Sequence, residues 1–431
     1  MQTSTTRALW ASARTPREQQ AVEQLAVTTF SPGVRSALAF VFLALIVAVP
    51  VYETVQDVMV NRTRARLLRE GVPAADLPDK RLGIAALWLY LPLPKPRELR
   101  ALEDDLLLTS AARVDLQPWP QSAMAALGVG NRRVVFGLNG WLHYVDGVEY
   151  AIGPGFLSPG HLDAARAEGL EGDPRPAILQ LHRELQAAGV DLIVLPLPDK
   201  ATIVPGTLAR QLEGTFGLQN RSWETFVAEM RGAGVHLLDL TRPMADAEAA
   251  GTAQFMRADT HWTPAGIDVS AKAVAAMLTG ELGIGIGSEP YRRTDVATER
   301  QTADLLELMD LPPSQLRRLG RESFVLHQVM DGNGRLWRST PGSEILLIGD
   351  SFTEALSSES ASQAAGLAEQ ISYYMQRPLE RRASHKFSPF DVRTLLGTSR
   401  AEVRRAATAR RVVIWEFAGR KLAYGDWPLL P

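Results

Sequence analysis

From about residue 130 the apolar positions fall into short runs separated by amphipathic stretches. "RPAILQLHRELQAAG" (175–189) has apolar residues at helical spacing and leads straight into "VDLIVLPLPDK" (190–200), a run suited to a strand buried on both faces. "SWETFVAEMRGAG" (222–234) followed by "VHLLDL" (235–240) repeats the unit. "SEILLIGDS" (343–351) and "RVVIWEF" (411–417) are two more apolar runs. Helices alternating with such runs predict an α/β fold, a mostly parallel sheet flanked by helices on both faces. In open sheets of this kind ligands bind at the carboxyl ends of the strands. Ahead of this region, "RRVVFGLNGWLHYVDG" (132–147) reads as two paired strands with a turn at Asn139-Gly140.

The first hundred residues follow a different pattern. Ser36–Tyr52 is a run of 17 residues without a charge, near the lower length limit of a spanning helix. A long polar stretch precedes it, and Val49-Pro50-Val51 stands where a leader would need small residues for cleavage. The pattern predicts one uncleaved membrane anchor. Arginines flank it on both sides (Arg7, Arg14, Arg17 and Arg35 before; Arg62, Arg64, Arg66 and Arg69 after), so charge does not orient it. Residues 1–34 read as a tail. Residues 53–72 are rich in helix formers, and "GVPAADLPDKR" (71–81) and "LYLPLPKPREL" (89–99) are proline-rich and irregular.

Composition narrows the chemistry. A formal net charge of −2 gives no global signal for nucleic acid. The absence of cysteine excludes a thiol nucleophile, a thiolate metal site and any disulfide.

Two stretches carry candidate chemistry. In "EILLIGDSFTEAL" the apolar run ends at Gly349 and helix formers resume at Thr353, which puts Ser351 on a strand-to-helix turn at the carboxyl edge of the sheet. The N–H groups of a first helical turn lack intrahelical partners and favour negative charge, so they form part of an oxyanion site for a serine hydroxyl there. On its own a G-D-S turn is more often a plain helix cap. Serine needs a base, and "MRADTHWTPAG" (256–266) supplies His261. It follows the strand-like "AQFMR" (253–257) and precedes Thr263-Pro264, which cap the helix "AGIDVSAKAVAAML" (265–278). Asp259 is spaced to accept from the far imidazole nitrogen and to stabilise the imidazolium. By itself Asp-x-His also fits an Asx-turn or half of a metal site, but no H-x-H or H-E-x-x-H completes one, and no metal is expected.

"DTHWTPAG" and "LLIGDSFT", in that order, resemble the alginate O-acetyltransferases of the J and X type, bacterial periplasmic proteins with an SGNH-hydrolase-like domain. The order matches a circular permutation of ordinary SGNH hydrolases, with D-x-H ahead of the serine. "GLNGWLHY", "LPLPDKATIVPG", "ADLLELMDLPP", "YYMQRPLERR" and "VVIWEFAGRKL" extend the resemblance over about residues 130–425. Residue by residue, the family's triad carries onto Asp259, His261 and Ser351.

The resemblance implies an SGNH-like acetyltransferase domain at 130–431, behind a cytoplasmic tail (1–34), an inner-membrane anchor (35–55) and a periplasmic linker or accessory segment (56–129). It implies acetyl transfer to a sugar hydroxyl of an exopolysaccharide through an acetyl-serine, with no cofactor. The implied partners are a membrane-bound O-acyltransferase as acetyl donor, a polysaccharide acceptor and the synthesis and secretion complex around them. An esterase on the same triad and a non-catalytic scaffold are the alternatives. Lys200 and Arg420 are candidates for binding an anionic sugar or for structural charge. Trp262 either stacks on a sugar ring or packs beneath the site. Arg377, Arg381, Arg382 and Lys386 suggest a basic face or a solvated helix end.

Overall fold

A computed structural model describes scattered positions from 31 to 59, residues 122 and 128, and residues 130–431 apart from 301–302, 310, 312–320, 358–362, 384–388 and 409. The chain divides into two compact units, residues 1–117 and 118–431.

In the first unit, described positions from Gly33 to Met59 are helical, and the large apolar side chains among them, such as Phe40 and Phe42, are exposed. Among the described residues no helix is long and apolar enough to cross a membrane. The expected span, Ser36–Tyr52, falls partly outside the described residues, as do almost all of the linker and the proline-rich segments.

The second unit contains, in chain order, β1 (Val134–Phe136), β2 (Leu142–Tyr144), α1 (Pro174–Gln186), β3 (Asp191–Leu197), α2 (Lys200–Ile203), α3 (Trp223–Gly232), β4 (His236–Leu237), α4 (Pro264–Gly280), β5 (Arg292–Arg300), α5 (Asp304–Glu307), β6 (Glu322–Met330), β7 (Ile345–Gly349), α6 (Ser351–Glu354), α7 (Leu367–Met375), β8 (Glu380–Ala383), α8 (Arg400–Ala407) and β9 (Val412–Ala418). Strands β4-β3-β9-β7-β8, in that spatial order, form a five-stranded sheet whose pairings are all parallel. The four apolar runs of the sequence are β3, β4, β7 and β9.

Both faces of this sheet are covered, which is why β3, β7 and most of β9 read as apolar runs; the edge strand β8, Glu-Arg-Arg-Ala, carries no such pattern. Ile193, Leu195, Ile345, Leu347 and Ile414 pack with α4 and α7 on one face. Leu192, Val194, Leu346, Ile348 and Trp415 pack with α1, α3 and α8 on the other. The alternation is the two-residue period of a strand, here with apolar residues on both sides.

The paired strands expected at 132–147 are β1 and β2, joined antiparallel through Asn139 and Gly140, both at positive φ (54° and 77°). That is a conformation Asn and Gly adopt at small cost. The apolar pattern did not reveal the long antiparallel arm β5–β6, whose nine paired positions carry mixed polar and apolar residues, many of them solvent-exposed.

Candidate active site

Ser351 opens α6 directly after β7. The turn is held from two sides. Asp350 caps the helix, its Oδ1 accepting from the Phe352 N–H at 2.9 Å. Its Oδ2 accepts from the Ala418 N–H of β9 at 3.0 Å, which ties the ends of two neighbouring strands together. From β9, Oε2 of Glu416 accepts the Asp350 N–H at 3.0 Å and the Thr353 hydroxyl at 2.8 Å. Burial, then the charge of Asp350, hold the Glu416 carboxyl well above its ordinary range. Gly349 is required by this crowding, because a Cβ there would meet Thr353 Oγ1 at 2.0 Å and Glu416 Oε2 at 2.4 Å. The Phe352 N–H is taken by Asp350 Oδ1 and the Thr353 N–H by the Asp350 carbonyl. Among the described residues no acceptor takes the Ser351 N–H, which leaves it to receive an incoming oxygen.

His261 reaches Ser351 from the segment ahead of α4. The expected strand at 253–257 does not join the sheet. It is a loop with a single bridge between Phe255 and Trp262, because Gln254 and Ala253 spend their carbonyls on Thr263. The predicted cap is present: the Thr263 hydroxyl accepts from the Gly266 N–H at 3.1 Å and Pro264 starts the helix. Gly266 allows a close approach, since a Cβ would lie 2.5 Å from the Gln254 carbonyl oxygen.

The loop aligns three side chains. His261 Nε2 lies 3.0 Å from Ser351 Oγ, and His261 Nδ1 lies 2.7 Å from Asp259 Oδ1. The same carboxylate oxygen also accepts the His261 backbone N–H at 3.0 Å. An ionised carboxylate only accepts, so Nδ1 carries the imidazole proton and Nε2 is left to accept from the serine. Asp259 is buried, while Ser351 and His261 keep partial exposure. A hydroxyl, an imidazole and a buried carboxylate so arranged can move a proton off the serine and hold the resulting cation.

The other three expected site residues turn inward. Lys200 donates from Nζ to the Leu142 carbonyl at 2.8 Å and the Arg257 carbonyl at 3.2 Å. Burial lowers its amine to about 8, against the pull of Asp259, Asp304 and Glu322. It thus fastens β2 to the loop of Asp259. Trp262 is fully buried and meets the Phe352 ring edge-on at 5.6 Å, while Phe352 also contacts the His261 ring at 4.8 Å. Arg420 pairs with buried Asp199 at 2.6 Å and lies 5.1 Å from the Tyr144 ring and 5.8 Å from that of Phe352. Burial opposes its charge, but Asp199 outweighs it and raises the guanidinium above its ordinary value.

The basic face suggested around 377–386 is not a free patch. Arg377 pairs with Glu344, Arg382 with Glu380, and Arg381 is buried beside Glu369; Lys386 lies outside the described residues. Two groups at the site went unread in the sequence. Glu416, a carboxylate in the middle of "VVIWEF", was visible as an exception to an apolar run. Asp304, 3.5 Å from His261 Nδ1, lies in the stretch "ADLLELMDLPP" quoted for the family resemblance, but no role attached to it, because it arrives from the connection between β5 and β6.

The sequence model of the ALGX family, described as an SGNH hydrolase-like domain of the acetyltransferase AlgX, matches residues 134–419. The probable alginate O-acetylase AlgJ of Pseudomonas aeruginosa is 29% identical over 185 residues, 43% of each chain. Its namesake from Pseudomonas putida is 26% identical over 201 residues, 47% of this chain and 48% of that one. The chain thus spans less than half the length of these curated relatives. Among solved structures, the O-acetyltransferase domain of Pseudomonas putida AlgJ superposes with a TM-score of 0.50 at 22% identity, covering 68% of this chain and 93% of that one. That likeness extends to the fold.

Proposed function

The chain belongs to the AlgX family of SGNH hydrolase-like acetyltransferase domains, and from that premise we propose that it is a polysaccharide O-acetyltransferase working through an acetyl-serine. The observation that carries the reading is the line Asp259–His261–Ser351 at the carboxyl edge of the sheet, with 2.7 Å and 3.0 Å between successive polar atoms. The relatives named as probable alginate O-acetylases support the class of reaction and of acceptor.

The chemistry runs in two halves. As Ser351 Oγ attacks the carbonyl carbon of a bound acetyl ester, its proton passes to Nε2 of His261. Asp259 stabilises the imidazolium, and the Ser351 N–H meets the developing oxyanion. Collapse expels the donor's alcohol, which takes the proton, and leaves acetyl on Ser351. A sugar hydroxyl then gives its proton to His261, attacks the acetyl-serine, and leaves as the sugar acetate while Ser351 regains its proton. Lys200, Trp262 and Arg420 act in this reading as the frame of the site.

We read the apolar run at 36–52 as an inner-membrane anchor that keeps the domain in the periplasm. The exposed apolar side chains there favour that use. Anchoring beside a membrane-bound O-acyltransferase raises the effective concentration of the acetyl donor. A polysaccharide synthesis and secretion complex brings the acceptor.

The test offers the full chain an activated acetyl ester with and without an uncharged or uronic-acid oligosaccharide. Acetylated oligosaccharide formed in preference to free acetate, and lost in Ser351→Ala, is the expected result. Acetate release unaffected by any acceptor would make the protein an esterase instead.

A further inference from the structure

The base loop is held by groups from a part of the molecule outside the serine–histidine line. The tip of the β5–β6 arm returns to residues 257–261 and contributes two carboxylates. Glu322, the first residue of β6, accepts the Arg257 N–H through Oε2 and the Ala258 N–H through Oε1, both at 2.9 Å. Asp304, the first residue of α5, accepts the Thr260 N–H at 2.6 Å and the Thr260 hydroxyl at 2.5 Å, one on each oxygen. Its own N–H donates to Asp259 Oδ2 at 3.4 Å. Its Oδ2 lies 3.5 Å from His261 Nδ1, on the same nitrogen that Asp259 serves. A small apolar cluster, including Leu142, Ala258, Leu305, Leu306 and Met309, docks this tip on the β1–β2 hairpin and the loop.

We propose that Asp304 is a positioning residue for the base: it orients Asp259 through its backbone N–H and adds a second negative charge facing His261 Nδ1. The inference rests on the reading of His261 as general base. Both oxygens of Asp304 accept from Thr260, an arrangement that suits the ionised carboxylate. Burial, then the charge of Asp259, leave its carboxyl raised on balance, and His261 and the Thr260 donors offset only part of that. The charged and titratable groups around the imidazole come from several elements. Asp259 lies on its own loop, Asp304 on α5 and Ser351 on α6. Behind Asp259 stand Lys200 from α2 and Glu322 from β6, and Arg420 lies across the Phe352 ring.

The direction of the effect follows from charge. His261 acts as a base only when neutral, so activity rises with pH through its titration. A negative charge facing Nδ1 favours the imidazolium and sets that rise at higher pH. Asp304→Asn keeps the shape and the Thr260 contact to one oxygen but removes the charge. The acid limb of the pH profile for Ser351 acylation then moves to lower pH by about half a unit or more, and the plateau falls by about 10-fold.

The experiment measures acylation of the full-length wild type, Asp304→Asn, Asp304→Glu and His261→Ala by an activated acetyl ester between pH 5 and 9. The His261 titration is followed in parallel by NMR of ring-labelled histidine, assigned by His261→Ala. A lowered acid limb and a lowered NMR midpoint in Asp304→Asn, with partial return in Asp304→Glu, support the inference. A reduced plateau with limb and midpoint unmoved would mean that Asp304 only braces the loop. Acylation persisting in His261→Ala would overturn the base assignment itself, a separate failure.

Discussion

His261→Ala is expected to lower acyl transfer by about 10⁴-fold or more, and Asp259→Asn by about 10²–10⁴-fold, in a protein that still folds. The imidazole is the group within hydrogen-bond reach of the Ser351 hydroxyl that can accept its proton at neutral pH. Without it the serine remains an alcohol. Asp259→Asn keeps a side chain of the same shape. The amide now offers a donor or a weaker acceptor to Nδ1, so the imidazole loses both its fixed tautomer and its counter-charge. Steady-state rates with an activated acetyl ester, beside circular dichroism and a thermal melt, separate lost chemistry from lost fold. Near wild-type turnover in folded His261→Ala would remove the basis for a serine–histidine mechanism.

Trp262→Ala is expected to cost about 3–5 kcal/mol of folding free energy, among the largest single losses available in this domain. Trp262 is completely buried in the core cluster that joins one sheet face to α4 and α7, and it braces Phe352 edge-on. Phe352 in turn contacts the imidazole of His261, so the cavity opens directly beneath the catalytic line. Trp262→Phe refills part of the space and should recover both stability and turnover in part. Denaturant melts of the three proteins, read with acyl-transfer rates at low temperature, check this. A Trp262→Ala protein of unchanged stability but weakened acceptor binding would instead make Trp262 a sugar platform.

The chain announced four of the five strands of its sheet because four apolar runs alternate with amphipathic segments, and burial on both faces erases the polar positions that would otherwise mark a strand; β8, with Glu380, Arg381 and Arg382, gave no such run. It announced Ser351 and His261 because each sits where such a pattern changes: Gly349-Asp350-Ser351 at the end of β7, and Thr263-Pro264 at the start of α4. The β5–β6 arm stayed hidden, since a ribbon with exposed faces has no apolar signature. With it stayed hidden the meeting of Asp304 and Glu322 with the base loop, contacts between residues 44 and 64–65 positions apart. Trp262 packs beneath the site, one of the two readings its position beside His261 allowed, whereas the sequence did not decide between a binding and a structural role for Lys200 and Arg420. Whether a lysine faces solvent or a ring of carbonyls depends on which segments fold over it, here Leu142 and Arg257 from either side.

Trapping the acyl-enzyme tests most directly whether Ser351 is the activated nucleophile. The full chain is treated briefly with an activated acetyl ester or a sulfonyl fluoride, digested, and the modified peptide identified by mass spectrometry. Ser357, a few residues along, is an internal control, a buried alcohol bonded to Glu369 with no imidazole bonded to it among the described residues. A single adduct on Ser351 is expected, absent in His261→Ala and discharged faster by an oligosaccharide acceptor than by water. Labelling spread over several serines, or an adduct on Ser351 that forms equally well without His261, would contradict it.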